Sequence, residues 1–246
     1  MSDVLYDYTN SPPDTPFPST DLAIDAHYGL LAVGGDWHPD RIVTAYRSGI
    51  FPWPMADLPL GWYCPPQRMI FDTAKQPLGR RFRKGLESLD WTVTADRAIE
   101  SVIRACAEVP RIGQDGTWIV EDMIESYLEL HRHGITHSVE VWDSQGNLIG
   151  GLFGVCVKHV FCGDSMFSLE SGASKVAFAH LVRFLAENGI RWVDGQVPNA
   201  YLESLGGITV SRDEFLHLTA SHGPDSALSR QSWSTDFGLR TTESIR

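Results

Sequence analysis

The sequence predicts a mixed α/β (α+β) chain, with a smaller N-terminal α/β domain followed by a larger domain built on a mixed sheet. Three observations carry this reading. Val160-Phe161-Cys162 and the run at 190–193 are short and apolar, as buried strands are. Between them Val176, Phe178, Leu181, Val182 and Leu185 recur at helical spacing, so strand, crossover helix and strand follow one another. Upstream, residues 136–142 alternate His137, Val139 and Val141 against Ser138, Glu140 and Trp142. The chain then turns at Gln145-Gly146-Asn147 and returns over 148–157 as a hairpin. With 246 residues, 43% hydrophobic content and 8 Trp, the chain can bury a core as one large domain or two small ones.

Charge and cysteine usage exclude several classes. A formal net charge of −11 argues against non-specific nucleic-acid binding, so any RNA must be met by a local basic patch on an acidic surface. There is no apolar run long enough to span a membrane, and the opening MSDVLYDYTNSPPDTP is acidic without an apolar signal core, which points to a cytoplasmic location. Cys64, Cys106, Cys156 and Cys162 show no CxxC spacing. They are read as free thiols of a reducing compartment, with no metal site.

Residues 1–20, with Pro12, Pro13, Pro16 and Pro18, read as a loose arm ahead of a short element at 21–28. Gly34-Gly35-Asp36 has neither the GKS/T of a phosphate loop nor GxGxxG, and reads as a tight turn. Pro39 opens a helix over 41–48 that Gly49 ends. IFPWPMADLPLGWYCPP (50–66) is a proline-stiffened, aromatic loop. Its Trp62 and Tyr63 read as core, whereas Tyr46 and Trp53 fit either core packing or a platform on which a nucleobase stacks. After a strand at 69–71, Lys75, Arg80, Arg81, Arg83 and Lys84 fall within ten residues with no acid among them. They form either a solvated face or a contact for a nucleic-acid backbone.

A strand at 91–94 precedes a helix over 97–107 capped by Asp96. A second helix, 121–133, follows Trp118. Gly150-Gly151 marks a bulge or a close backbone approach, and Ser174 is read as the cap of the helix after it. Past residue 216 periodicity fades, and 222–246 reads as a peripheral or disordered tail. The expected division is thus an arm (1–20), an N-terminal domain (21–95), a catalytic domain (96–220) and a tail (221–246).

Asp164 and Asp194 each follow a strand, where ligands of such sheets gather. Two apart on an extended backbone, Asp194 and Gln196 would face the same side. A plainer reading makes Asp194 the cap of a short helix at 199–205.

GLLAVGGDWHPDRIVTAYRSGIFPW (29–53), QDGTWI (114–119), GDSMFS (163–168), ASKVA (173–177) and DGQVPNAYLESLGG (194–207) resemble, in order, the leucyl/phenylalanyl-tRNA–protein transferases. The resemblance covers about 28–216. It implies an aminoacyltransferase that moves leucine or phenylalanine, and by extension methionine, from aminoacyl-tRNA (Leu-tRNA, Phe-tRNA) to proteins with N-terminal Arg or Lys, marking them for degradation. It further implies a cytoplasmic monomer without cofactor. Carried over residue by residue, it implies that Asp194 holds and polarises the Gln196 side-chain amide, with Asn199 as a third critical group. A ribose hydroxyl of the tRNA is the rival proton carrier. Tyr46, Trp53 and Trp118 would surround the terminal adenosine. Leu152, Met166, Phe178, Leu181 and Leu185 would line the donor's side-chain pocket, each position being equally readable as core. The basic cluster at 75–84 would meet the tRNA. Asp164 stands where the family has glutamate, one methylene longer, and with Asp194 would supply the negative surface that binds the acceptor Arg or Lys; Gly195 and Tyr201 replace common Cys and His.

The hairpin, strand, helix and strand of 136–194 resemble the acetyltransferase-like (GNAT) fold, but SLESGASK lacks the glycine-rich loop that holds coenzyme A pyrophosphate. A coenzyme A-dependent N-acyltransferase is therefore the weaker enzymatic alternative. A non-catalytic module that binds tRNA or protein N-termini would be expected to lack Asp194 or Gln196, and both are present.

Overall fold

A computed structural model describes residues 5–54, 58–75, 89–109, 117–220, 228 and 232–242. The N-terminal part forms a four-stranded sheet of β1 (Tyr6–Asp7), β2 (Leu30–Val33), β3 (Phe51–Trp53) and β4 (Gly61–Tyr63), in the order β1-β2-β4-β3. Helix α1 (Pro39–Arg47) lies between β2 and β3. His38 caps it by accepting the Asp40 N–H at its Nδ1 (3.2 Å), and Pro39 sits in its first turn, where no partner N–H is needed.

The large sheet has the order β11-β5-β10-β9-β8-β7-β6-β12. Its strands are β5 (Gln67–Asp72), β6 (Thr92–Ala95), β7 (Thr136–Trp142), β8 (Leu148–Val157), β9 (Val160–Ser168), β10 (Trp192–Gln196), β11 (Ile208–Ser211) and β12 (Arg240–Thr241). Every pairing in it is antiparallel except β9–β10. The parallel pair is joined by α4 (Ala173–Glu187), which packs on β7 and β8. Helices α2 (Ile99–Glu108) and α3 (Glu121–Arg132) belong to the core on the other face. Neighbours along β8 show the two faces: Leu152 joins the α4 cluster and Phe153 the α2–α3 cluster. The expected hairpin, strand, crossover helix and strand are present. The chain continues through α5 (Ala200–Ser204), α6 (Arg212–Thr219) and α7 (Ser234–Phe237).

Several local expectations are corrected. The change of sheet falls between β4 and β5, so β5 and β6, assigned by sequence to the 21–95 domain, pair in the large sheet. Residues 5–19 are not a loose arm. β1 pairs in parallel with β2, Tyr8 is buried and stacks on Phe17 (5.1 Å), and the buried guanidinium of Arg41 donates to Ser11 O (2.7 Å). Asp96 does not cap α2. Held at φ 56°, it accepts from the Ser138 N–H (3.0 Å) and the Trp233 N–H (2.7 Å) and pairs with His137 Nδ1 (2.9 Å). Ser174 is likewise no cap; Gly172 occupies that place, and the buried Ser174 bonds Ser168. At Gly150 a side-chain carbon would lie 2.4 Å from Ala173 Cβ, so the glycine lets α4 close onto β8.

The tail also departs from expectation. Leu228, Trp233 and Phe237 are buried in the α4-side core, and β12 pairs with β6. Trp233 stacks face to face on His137 with ring centroids 3.8 Å apart. A few large apolar anchors suffice to hold a segment whose composition is otherwise polar. Replacing Trp233 by Ala is expected to lower unfolding free energy by about 3–5 kcal/mol, read by chemical denaturation. A loss below about 1 kcal/mol, the ordinary size for an exposed position, would show that the tail is peripheral after all.

Candidate active site

The site arises where the one parallel pairing of the large sheet ends. β9 and β10 pair through Trp192↔Val160, Val193↔Phe161 and Asp194↔Cys162. Beyond Cys162, β9 continues to Ser168 on β8 alone. Beyond Asp194, β10 bulges against β5. Past these pairs the two strands no longer bond each other, which leaves a gap between their ends. Asp164 enters from the β9 side and Gln196 from the β10 side.

Asp194 is fully buried and does not hold the Gln196 side chain, contrary to the expected relay. Arg68, on β5, grips it with a guanidinium fork: Nε to Oδ1 at 2.8 Å and Nη2 to Oδ2 at 2.6 Å. Asp194 Oδ1 also accepts the backbone N–H of Gln196 (2.8 Å). That bond fixes Gln196 at φ 60°, a left-handed conformation costing a non-glycine residue about 1–2 kcal/mol. The bulge and the reversed φ abolish the same-side geometry expected of an extended strand, sending Asp194 inward and Gln196 into the gap.

The partner of the Gln196 amide is Asp164, whose Oδ1 accepts from Gln196 Nε2 at 2.8 Å and from Tyr46 Oη at 2.5 Å. Tyr46 Oη in turn lies 2.8 Å from Tyr127 Oη. Because a carboxylate oxygen needs donors, the Gln196 group turned toward it is the NH₂, which leaves Oε1 as an acceptor on the other side. Asp164 as a residue is half-buried, yet its Oδ2 is shut from solvent and has no hydrogen-bond partner among the described residues. Burial pushes its carboxyl up to about 7, the bonds from Tyr46 and Gln196 partly opposing this. Tyr46 and Tyr127 are raised well above the usual phenol range, chiefly by burial and further by the charge of Asp164.

Other expected site residues fall into distinct places. Asn199 caps α5, its Oδ1 accepting the Leu202 N–H at 2.9 Å; the cap is Asn199 itself, not Asp194. Tyr46 is buried in the core with only its hydroxyl joined to the site. Trp53 and Trp118 are half-buried against the same core cluster, and Trp53 meets Tyr63 edge-on at 5.8 Å. Leu152, Phe178, Leu181 and Leu185 are buried core, with Phe178 against Phe71 at 4.7 Å. Met166, paired across strands with Leu152, is only partly covered. Lys75 is exposed, and Arg80, Arg81, Arg83 and Lys84 lie outside the described residues.

Sequence reasoning missed Arg68 and Tyr127. Arg68 heads the apolar run MIF as an isolated charge, a position that asks for a buried partner. Tyr127 sits on the apolar face of α3 and gave no signal beyond core.

The sequence comparisons with known proteins agree with one another. A sequence model described as leucyl/phenylalanyl-tRNA protein transferase matches residues 70–220, and one for its N-terminal domain matches 35–66. A protein of Xylella fastidiosa strain M23 named leucyl/phenylalanyl-tRNA–protein transferase is 48% identical over 210 residues, covering 85% of this chain and 86% of its own. Same-named proteins of Xanthomonas axonopodis pv. citri (46% over 233 residues, 95% and 93% covered) and Shewanella sediminis (46% over 202, 82% and 85%) are similar. Among solved structures, FemX superposes with a TM-score of 0.45 at 11% identity, covering 63% of this chain and 64% of its own. With both sequence models matched along its length and relatives near half identical over most of it, the chain belongs to the leucyl/phenylalanyl-tRNA–protein transferase family.

Proposed function

We propose that the chain transfers leucine or phenylalanine from aminoacyl-tRNA to the N-terminal Arg or Lys of acceptor proteins, marking them for degradation. The observation that supports this best is the Asp164–Gln196–Tyr46 cluster in the β9–β10 gap. Aminoacyl transfer needs three things there: an acceptor for the proton of an α-ammonium, a group that aims the freed amine, and a site for the ester carbonyl. An α-amine has a pKa of about 8 and is mostly protonated at neutral pH.

The Asp164 carboxylate takes the proton from the ammonium, and Gln196 Oε1 accepts a second N–H and aims the lone pair. The amine nitrogen then attacks the ester carbon. The bond to the ribose oxygen breaks, and that oxygen receives a proton from the nitrogen or from the Asp164 acid. A new amide and uncharged tRNA result. Asp194 acts here through the Gln196 backbone rather than its side chain, and Asn199 sets the loop after Gln196. Met166 is the open wall of the donor pocket. Leu152, Phe178, Leu181 and Leu185 form the packed floor that a donor side chain would reach by repacking. Trp53 and Trp118, with the Tyr46 ring, border the terminal adenosine. Lys75, Arg80, Arg81, Arg83 and Lys84 neutralise the tRNA backbone of an otherwise acidic protein. We further propose a cytoplasmic monomer that needs no cofactor.

Asp164→Asn and Gln196→Ala are each expected to lower kcat/KM for transfer from Leu-tRNA to an N-terminal Arg protein by roughly 10²–10⁴. Wild-type kcat/KM should rise with pH with a midpoint near 7, where Asp164 ionises, and the Asn variant should lose that limb. A variant that keeps both rate and limb would assign the proton to a ribose hydroxyl of the tRNA. No transfer at all by folded wild type would favour a binding module.

Stability should follow the same group. Its folded value of about 7 exceeds the ordinary 3.8, so the stabilisation is full below about 3.8 and lost as pH rises to about 7. Denaturation at several pH values should show wild type losing stability across this window relative to Asp164→Asn; parallel curves would contradict the buried titration. Replacing Arg80, Arg81, Arg83 and Lys84 together by Ala should raise KM for aminoacyl-tRNA and flatten its salt dependence, by a slope of about 0.7–0.9 for each phosphate no longer neutralised. An unchanged salt slope would leave the cluster a solvated face.

A further inference from the structure

We propose that Arg68 is a positioning residue of the transfer reaction, a joint connected to both donors of Asp164. It rests on the assignment of Asp164 and Gln196 to that reaction. Three arms of the guanidinium are engaged. Nε and Nη2 hold Asp194, and Nη1 donates to Gly49 O at 2.8 Å. The rings of Phe51 and Phe215 lie 4.8 and 4.2 Å from its central carbon.

The two ends of this clamp lead to one carboxylate. Through Asp194, Arg68 fixes the Gln196 N–H and its left-handed backbone, and Gln196 Nε2 reaches Asp164. Through Gly49, which follows the last turn of α1, it holds the end of the helix that carries Tyr46, and Tyr46 Oη reaches the same Asp164 oxygen. The small N-terminal sheet region and the catalytic sheet thus meet at a guanidinium. A lysine ammonium is a point charge without the planar fork and cannot hold all three acceptors in this plane.

Stability alone is a poor account of such a pair. Arg68 and Asp194 are 1% and 0% exposed, and well-packed apolar residues commonly replace a buried ion pair without loss of stability. A positioning role therefore makes a separable claim. The decisive variants are Arg68→Lys, which keeps the charge, and the double Arg68→Met with Asp194→Leu, which leaves no unpaired charge should the single variant not fold.

Two readouts distinguish the outcomes. The first is the titration of the Asp164 carboxyl carbon by NMR on the whole chain without substrate. Its hydrogen bonds from Gln196 and Tyr46 hold the value down, so slack in either moves the midpoint to higher pH in Arg68→Lys; the double variant also loses the Asp194 charge that raises the value, so there the transfer rate is the readout. The second is steady-state transfer, where kcat should fall about tenfold or more with KM for Leu-tRNA changed less than about twofold. A folded variant with an unmoved Asp164 midpoint and wild-type kcat overturns the inference. A shifted midpoint with unchanged kcat overturns the role of Asp164 in transfer and with it the positioning role. Thermal stability retained in the double variant while kcat falls supports positioning over structure.

Discussion

Everything at the centre of this protein depends on β9 and β10 ceasing to pair after Cys162 and Asp194. A parallel pair that continued would satisfy its own backbone and leave no room for a substrate. Its interruption costs hydrogen bonds, and two devices hold it open. On one side β9 keeps its partner β8 out to Ser168. On the other, β10 is bent by a bulge and by a glutamine in left-handed conformation, an arrangement that only a strong local acceptor sustains. That acceptor is Asp194, itself immobilised by Arg68. Removing one partner of a buried pair like this typically costs about 3–5 kcal/mol, because the other charge is stranded.

Much of the fold was legible because the signals were periodic. The hairpin of β7 and β8 and the helix α4 announce themselves through alternation and 3.6-residue spacing, and both formed within a residue or two of expectation. The pieces that were misread lack periodicity and are held by single contacts at a distance. Trp233 docks on His137 almost a hundred residues earlier in the chain, and Arg41 secures the arm through Ser11. Polar composition suggested loose ends, whereas a few buried rings and one guanidinium determine the outcome.

The site shows the same division. Asp164, Asp194, Gln196 and Tyr46 were all found from sequence, but not their connections. Spacing of two residues implies a shared face only if the backbone stays extended. A single positive φ at Gln196 reversed the conclusion and exchanged the partners of the two carboxylates. Arg68 could not be paired with a residue 126 positions away without the sheet order that brings β5 beside β10. The core positions Leu152, Phe178, Leu181 and Leu185 carried two readings, and their full burial makes them a floor rather than an open pocket.

The unequal use of the two Asp164 oxygens gives the cluster its chemical direction. Oδ1 is saturated by Tyr46 and Gln196, and Tyr46 keeps its proton because burial and the neighbouring carboxylate both disfavour the phenolate. Oδ1 is thus already occupied by two donors. Oδ2, enclosed and without a partner among the described residues, is the oxygen left free to carry a proton. A carboxylate held through one oxygen has a fixed orientation. An aspartate side chain is short, so the Tyr46 and Gln196 bonds hold the carboxylate on a stem with few rotatable bonds. The short side chain has little freedom, and Arg68, by setting where Gln196 and the end of α1 lie, helps to fix the direction it takes.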